Sequence, residues 1–98
     1  MCYFVYIIYS ESLDKYYVGQ TEDVHRRLEY HNNPIESRKF SLRGCPWVLM
    51  LCMEVTSRKH AIDLERFIKK MKSRIFIEKL INDPGLRDAI SKKVLPDC

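Results

Sequence analysis

The side chains whose types and spacing suit chemistry in this sequence are Tyr6, Tyr17, Arg27, His31 and Glu65. A phenol or an imidazole can take a proton from water, an arginine can hold a phosphate through two parallel hydrogen bonds, and a carboxylate can hold a divalent metal. Together they fit phosphodiester cleavage. Taken singly, each has a plainer reading. The tyrosines suit a strand, Arg27 and His31 suit an exposed helix face, and Glu65 stands four residues before Lys69, at ion-pairing distance on a helix. There is no glycine-rich phosphate loop, no G-x-S-x-G and no H-E-x-x-H, so the chemistries that need those motifs lack their parts.

The elements that must position these residues follow from pattern. Tyr3 to Tyr9 is almost wholly β-branched or aromatic and apolar on both alternating faces, which predicts a central strand. The polar stretch Ser10 to Asp14 turns the chain into a hairpin partner, Lys15 to Gly19. Centring that turn between Glu11 and Ser12 pairs Ile7 with Tyr16 and Tyr6 with Tyr17, so both phenols address one face. Thr21 is the expected cap of a helix that begins with Glu22 and Asp23, carries Val24 and Leu28 inward, and stops at Asn32-Asn33-Pro34. Arg27 and His31 are four apart and project from one side of it. Trp47 to Met53 is a further strand, apolar on both faces, with Trp47 assigned to the core. Ser57 caps the next helix, whose expected buried stripe is Ala61, Leu64, Ile68 and Met71, with Glu65 beside it. Helical spacing resumes from Arg74 to Ile81, Asp83-Pro84-Gly85 breaks it, and Leu86, Ala89 and Ile90 suggest a last short helix. The order is ββαβααα.

With the residues placed on elements, the sequence resembles a family. Phe4-Val5-Tyr6, then Tyr17-Val18-Gly19, then Arg27-Leu28-x-x-His31-Asn32, then Glu65 in a basic helix, look like the GIY-YIG nuclease superfamily. The likeness covers roughly residues 3–81 and is closest to the small, single-domain bacterial branch, which is similar to the excision-repair nuclease. It implies an α+β fold, a small three-stranded antiparallel sheet flanked by helices, with a metal-dependent nuclease site on the sheet face. Tyr6 would activate the water nucleophile with Tyr17 as its partner. Arg27 would bind phosphate, His31 would match the family's histidine or tyrosine on the same helix, and Glu65 would be the sole carboxylate on one Mg²⁺ or Mn²⁺. Gly19 would let the backbone approach the site closely. Phe4 stands where the motif has glycine, and the asparagine of the larger nucleases has Asn82 as its nearest candidate.

Energetics constrains that mechanism. A phenol of pKa near 10 is about 0.1% ionised at pH 7, and full ionisation costs about 4 kcal/mol. A neighbouring cation, or a proton shuttle through Tyr17 or His31, must offset it.

Composition bounds the rest. A chain of 98 residues, 46% hydrophobic and 31% charged, suits one compact domain with little room for both a core and a large internal ligand. We expect residues 1–82 to form the catalytic-type domain and 83–98 a C-terminal helical extension of the same domain. The net charge of +4 is uneven: residues 1–34 hold three Lys/Arg against five Asp/Glu, residues 35–79 eleven against five, and residues 80–98 three against three. That basic middle suits a polyanion. The expected partner is DNA, with branched, damaged or single-stranded forms as candidates, and the expected contacts are Arg26, Arg38, Lys39, Arg43, Lys69 and Lys70. No apolar run approaches the roughly 20 residues of a membrane span, and the start does not read as a signal peptide, so a cytoplasmic location is expected. On that expectation Cys2, Cys45, Cys52 and Cys98 are read as free thiols, and no zinc-ligand spacing joins them to the histidines. A nucleic-acid-binding module of the same fold without turnover, and a plain protein-interaction domain, are the competing readings.

Overall fold

The computed structural model describes residues 2–32 and 46–93. Strands β1 (Tyr3–Ser10), β2 (Lys15–Thr21) and β3 (Trp47–Val55) form one antiparallel sheet in the order β2-β1-β3. Four helices accompany them among the described residues: α1 (Val24–Asn32) between β2 and β3, then α2 (Arg58–Met71), α3 (Arg74–Asn82) and α4 (Pro84–Lys93). The order is ββαβααα, and the β-branched, aromatic first strand is central as expected.

Alternation along β1 divides the core in two. Val5 and Ile7 belong to a cluster with Val18, Met53, Ala61, Leu64, Ile68, Leu80 and Ile90, on the face covered by α2 to α4. Tyr6 and Ile8 belong to a second, with Val24 and Trp47, on the face covered by α1. Half-buried Tyr17 and Leu28 pack against this second cluster.

The hairpin register differs from expectation by two residues. Tyr6 lies opposite Gly19, and Tyr17 lies opposite Ile8. The turn takes all of Glu11 to Asp14, with Asp14 in the left-handed region at φ 50° and its N–H on the Glu11 carbonyl at 3.3 Å. A slip of two keeps every side chain on its expected face, so the tyrosines remain neighbours, diagonally rather than directly opposed. The pairing is dictated by volume. A Cβ on Gly19 would stand 2.6 Å from Cζ of Tyr6, inside van der Waals contact, so the Tyr6 ring lies across the one residue that leaves room for it.

Three other expectations change. Asp23, not Thr21, caps α1: its Oδ1 accepts from the Arg26 N–H at 3.1 Å and its carbonyl from the Arg27 N–H at 3.1 Å, while the Thr21 hydroxyl accepts from the Asp23 N–H at 3.1 Å. Met71 is exposed at the end of α2, where His60 joins Ala61, Leu64 and Ile68 as buried residues. Strand β3 is an edge strand, so Val48 and Met50 are exposed although apolar. The Ser57 cap of α2 stands as expected, its hydroxyl accepting from the His60 N–H at 3.1 Å. The expected break Asp83-Pro84-Gly85 is narrower: Asp83 alone lies between the helices, its Oδ1 accepting from the Leu86 N–H at 3.2 Å, while Pro84 and Gly85 open α4.

Candidate active site

Four of the expected residues meet on the α1 face of the sheet. The Tyr6 hydroxyl and His31 Nε2 are buried 3.2 Å apart. The Tyr17 ring stands 6.4 Å from that of Tyr6 and packs edge-on against His31 at 4.9 Å between centroids. Trp47, placed in the core as expected, also walls this cluster, 6.1 Å from His31 and 6.2 Å from Tyr17. Arg27 reaches the Tyr6 hydroxyl from the exposed side of α1, and its guanidinium also lies over the Tyr30 ring at 5.0 Å.

Glu65 comes from the other face. Helix α2 packs chiefly on β2 and β1, so side chains on its near flank reach round the β2 edge. The Lys69 ammonium stands 5.5 Å from the centre of the Tyr17 ring and pairs with Glu65 at 3.1 Å. The Glu65 side chain is only 19% exposed, and its charge is felt at Tyr6.

Electrostatics assigns protonation states. Burial pushes the Tyr6 phenol up to about 12, with Tyr17 and Glu65 adding to the rise and Arg27 opposing it. Burial, then the Arg27 charge, hold His31 below the usual imidazole value. At neutral pH the buried pair is therefore a neutral phenol beside a neutral imidazole. Arg27 is held above its ordinary value by the Tyr6 hydroxyl and stays charged.

One positioning residue sits unmarked inside a motif. Asn32 follows His31, and its side chain clasps the first residue of β3: Oδ1 accepts from the Trp47 N–H at 2.6 Å and Nδ2 donates to the Trp47 carbonyl at 3.1 Å. This fixes the end of α1, and with it His31, against Trp47. Its one signal in the sequence is adjacency to His31.

Of the expected nucleic-acid contacts, Arg26 lines a cleft with Arg27, Lys69 sits at the cluster, and Lys70 is exposed on α2. Arg38, Lys39 and Arg43 lie outside the described residues, as do Asn33, Pro34, Cys45 and Cys98. Asn82 ends α3, its amide donating to the Glu78 carbonyl at 2.9 Å on its own helix. Cys2 and Cys52 are free and exposed. Among the described residues no helix is long and apolar enough to cross a membrane, and no group of three or more His, Cys, Asp or Glu is placed to hold a metal.

Tyr6 and Tyr17 thus stand on adjacent strands of one small sheet, with Arg27 and His31 on α1 and Glu65 on α2. The model of the GIY-YIG catalytic domain matches residues 2–80. The chain belongs to the GIY-YIG family. At family level that is a nuclease-type function. The solution NMR structure of a UPF0213 protein from Bacillus halodurans is similar over 99% of this chain and 100% of that one, with 27% identity and a TM-score of 0.54. No curated protein matches significantly.

Proposed function

We propose that this GIY-YIG domain is a divalent-metal-dependent endonuclease acting on DNA, with Tyr6, Tyr17, Arg27, His31 and Glu65 as its working residues. The observation that carries the reading is the buried 3.2 Å contact between the Tyr6 hydroxyl and His31 Nε2, with Arg27 beside it. Ionising a phenol of pKa about 12 at pH 7 costs roughly 7 kcal/mol, too much for a free phenolate to be the base. A relay avoids that cost. Tyr6 donates its proton to the neutral His31 Nε2 as it takes one from water, the water oxygen bonds to phosphorus, and the ester P–O bond breaks as the leaving oxygen gains a proton from solvent. Arg27 holds the phosphate and stabilises the added charge. Tyr17 packs against His31 and fixes the imidazole plane.

A single carboxylate suits Mg²⁺ or Mn²⁺, which keep most of their waters and need no all-protein cage. Glu65 is the residue that would hold the ion, which supplies charge neutralisation at the phosphate oxygens. Residues 83–98 belong in this reading to the same domain as 1–82.

The test is incubation of purified protein with single-stranded, nicked, branched and damaged DNA in Mg²⁺ or Mn²⁺. Cleavage is expected, and Tyr6→Phe and Glu65→Ala are each expected to lower it at least about a hundredfold with the fold intact. No cleavage of any substrate, or cleavage indifferent to both changes, overturns the reading. The Lys69 ammonium on Glu65 favours one alternative, a binding module without turnover. It predicts salt-sensitive affinity for DNA without cleavage.

A further inference from the structure

A cleft of about 480 Å³ reaches the cluster through Tyr17 and Lys69 and runs between the hairpin end and the junction of α2 with α3. Its charged rim is Lys15, Lys69, Lys72 and Arg74 against Asp14. Arg74 is spent on structure: Nη1 donates to the Asp14 carbonyl at 3.0 Å, Nη2 to Asp14 Oδ1 at 2.8 Å, and Nε lies 3.6 Å from Glu78. Lys69 pairs with Glu65. Lys15 and Lys72 are exposed, and neither ammonium has a partner among the described residues.

Left-handed backbone occurs at one of these lysines and immediately before the other. Lys72 closes α2 in the left-handed region at φ 48°, its N–H on the Lys69 carbonyl at 3.2 Å. Asp14, immediately before Lys15, is also left-handed and is held by Arg74 and by the Tyr9 hydroxyl at 2.5 Å. Left-handed backbone at residues other than glycine persists where the surroundings impose it, and such strain gathers at ligand clamps. The floor is apolar, formed in part by Val18, Ile68 and Ile77.

We propose that this cleft is the track for one strand of nucleic acid leading away from the cleaved phosphate, its backbone phosphates on Lys15 and Lys72. The inference rests on the reading of Tyr6, Tyr17 and Arg27 as the cleavage centre. The size is that of a small-ligand pocket, which admits the backbone of one strand and not a duplex. The apolar floor suits sugars and base faces, as in other single-strand grooves. Charge also gives the track a side. The cleft that adjoins Arg27, of about 850 Å³, sets Arg26 and Arg27 against Glu22 and Asp23, so its charges cancel. Phosphates are therefore gripped beyond Tyr17 rather than beyond Arg27.

The test is fluorescence anisotropy with a labelled single-stranded DNA oligonucleotide in chelator, where no cleavage contributes, on the whole protein. The double variant Lys15→Glu/Lys72→Glu is expected to bind at least about tenfold more weakly and to lose about 1.4 from the slope of log K against log salt, roughly 0.7 per phosphate contact. Lys79→Glu/Lys92→Glu, equal in charge change but on α3 and α4 away from the cleft, is expected to stay within about twofold of the parent. Wild-type protein is expected to prefer the single strand to the matching duplex. Equal losses in the two double variants, no loss in the first, or equal affinity for duplex overturns the proposal. A protein that binds as expected but cuts nothing keeps the track and removes the nuclease reading. One that cuts without needing Lys15 or Lys72 does the reverse.

Discussion

At pH 7 a phenol held at about 12 is uncharged, so in the proposed cleavage Tyr6 takes a proton from water only as it passes its own to a neighbour. His31 is the neighbour in place, and burial and Arg27 keep it neutral and able to accept. The same shift has a stability consequence whose sign is fixed. Because the folded pKa of His31 lies below the unfolded value of about 6.5, the unfolded chain binds more protons as pH falls through that value. Stability from this group is complete above about pH 6.5 and declines below it. Melting wild-type protein and His31→Gln at pH 7 and pH 5 should show the wild type losing more on acidification. Equal losses would place the acid-sensitive group elsewhere. Nuclease activity should fall on the same acid side, as the acceptor becomes occupied. A second residue-scale outcome concerns Gly19. Its φ is not positive, so its role is space, and Gly19→Ala must push the Tyr6 ring off the sheet. We expect roughly 1–3 kcal/mol of destabilisation in urea unfolding, the usual cost of overpacking, and loss of cleavage with it.

Helix α1 is held at both ends by side chains that a sequence pattern reads unequally. Its start is legible as a cluster of capping residues, but Thr21 and Asp23 both qualify by type. The choice falls to Asp23 because Thr21 is still in β2, where its hydroxyl serves the turn. Its end is set by Asn32 on Trp47, a contact across 15 positions of sequence that no local pattern carries. Asn32→Ala removes the amide that bonds both the N–H and the carbonyl of Trp47. A loss of about 1–3 kcal/mol in denaturant stability is expected, with His31 displaced and activity reduced. Unchanged stability would mean that water replaces the clasp. The same division runs through the sheet. That Tyr3 to Tyr9 is central, and that Tyr6 and Tyr17 share a face, follows from composition and parity. The register does not, because it depends on the Tyr6 ring finding Gly19 and on Arg74 fixing a four-residue turn. Met71 departs from expectation for a similar reason: helical spacing makes it part of the stripe, but α2 ends there in a left-handed cap before Met71 meets the core.

At the scale of the whole molecule, the proposed site draws on both faces of one thin sheet, Arg27 and His31 from α1 and Glu65 from α2 round the β2 edge. Keeping α2 in place is therefore a condition for the site, and the last helix contributes to that. Ile90 of α4 is buried in the cluster that includes Leu64 and Ile68 of α2. His60, in the first turn of α2, contacts the Ser91 carbonyl through Nε2 at 2.9 Å. Arg87 donates to the carbonyls of Leu80 and Ile81 at 2.7 and 2.9 Å, satisfying the end of α3. Deleting residues 83–98 would expose the surface under Ile90, worth about 2 kcal/mol, and leave a buried imidazole without its acceptor, about 1–3 kcal/mol more. Against a typical domain stability of roughly 5–15 kcal/mol, that is a large fraction. Chains ending at Asn82 should therefore melt well below the full chain, and their residual cleavage should fall with the loosening of Glu65. Equal melting temperatures would instead make 83–98 an appendage with its own stability. The full chain should unfold in a single transition, because the helix that completes the core also braces the one that carries Glu65.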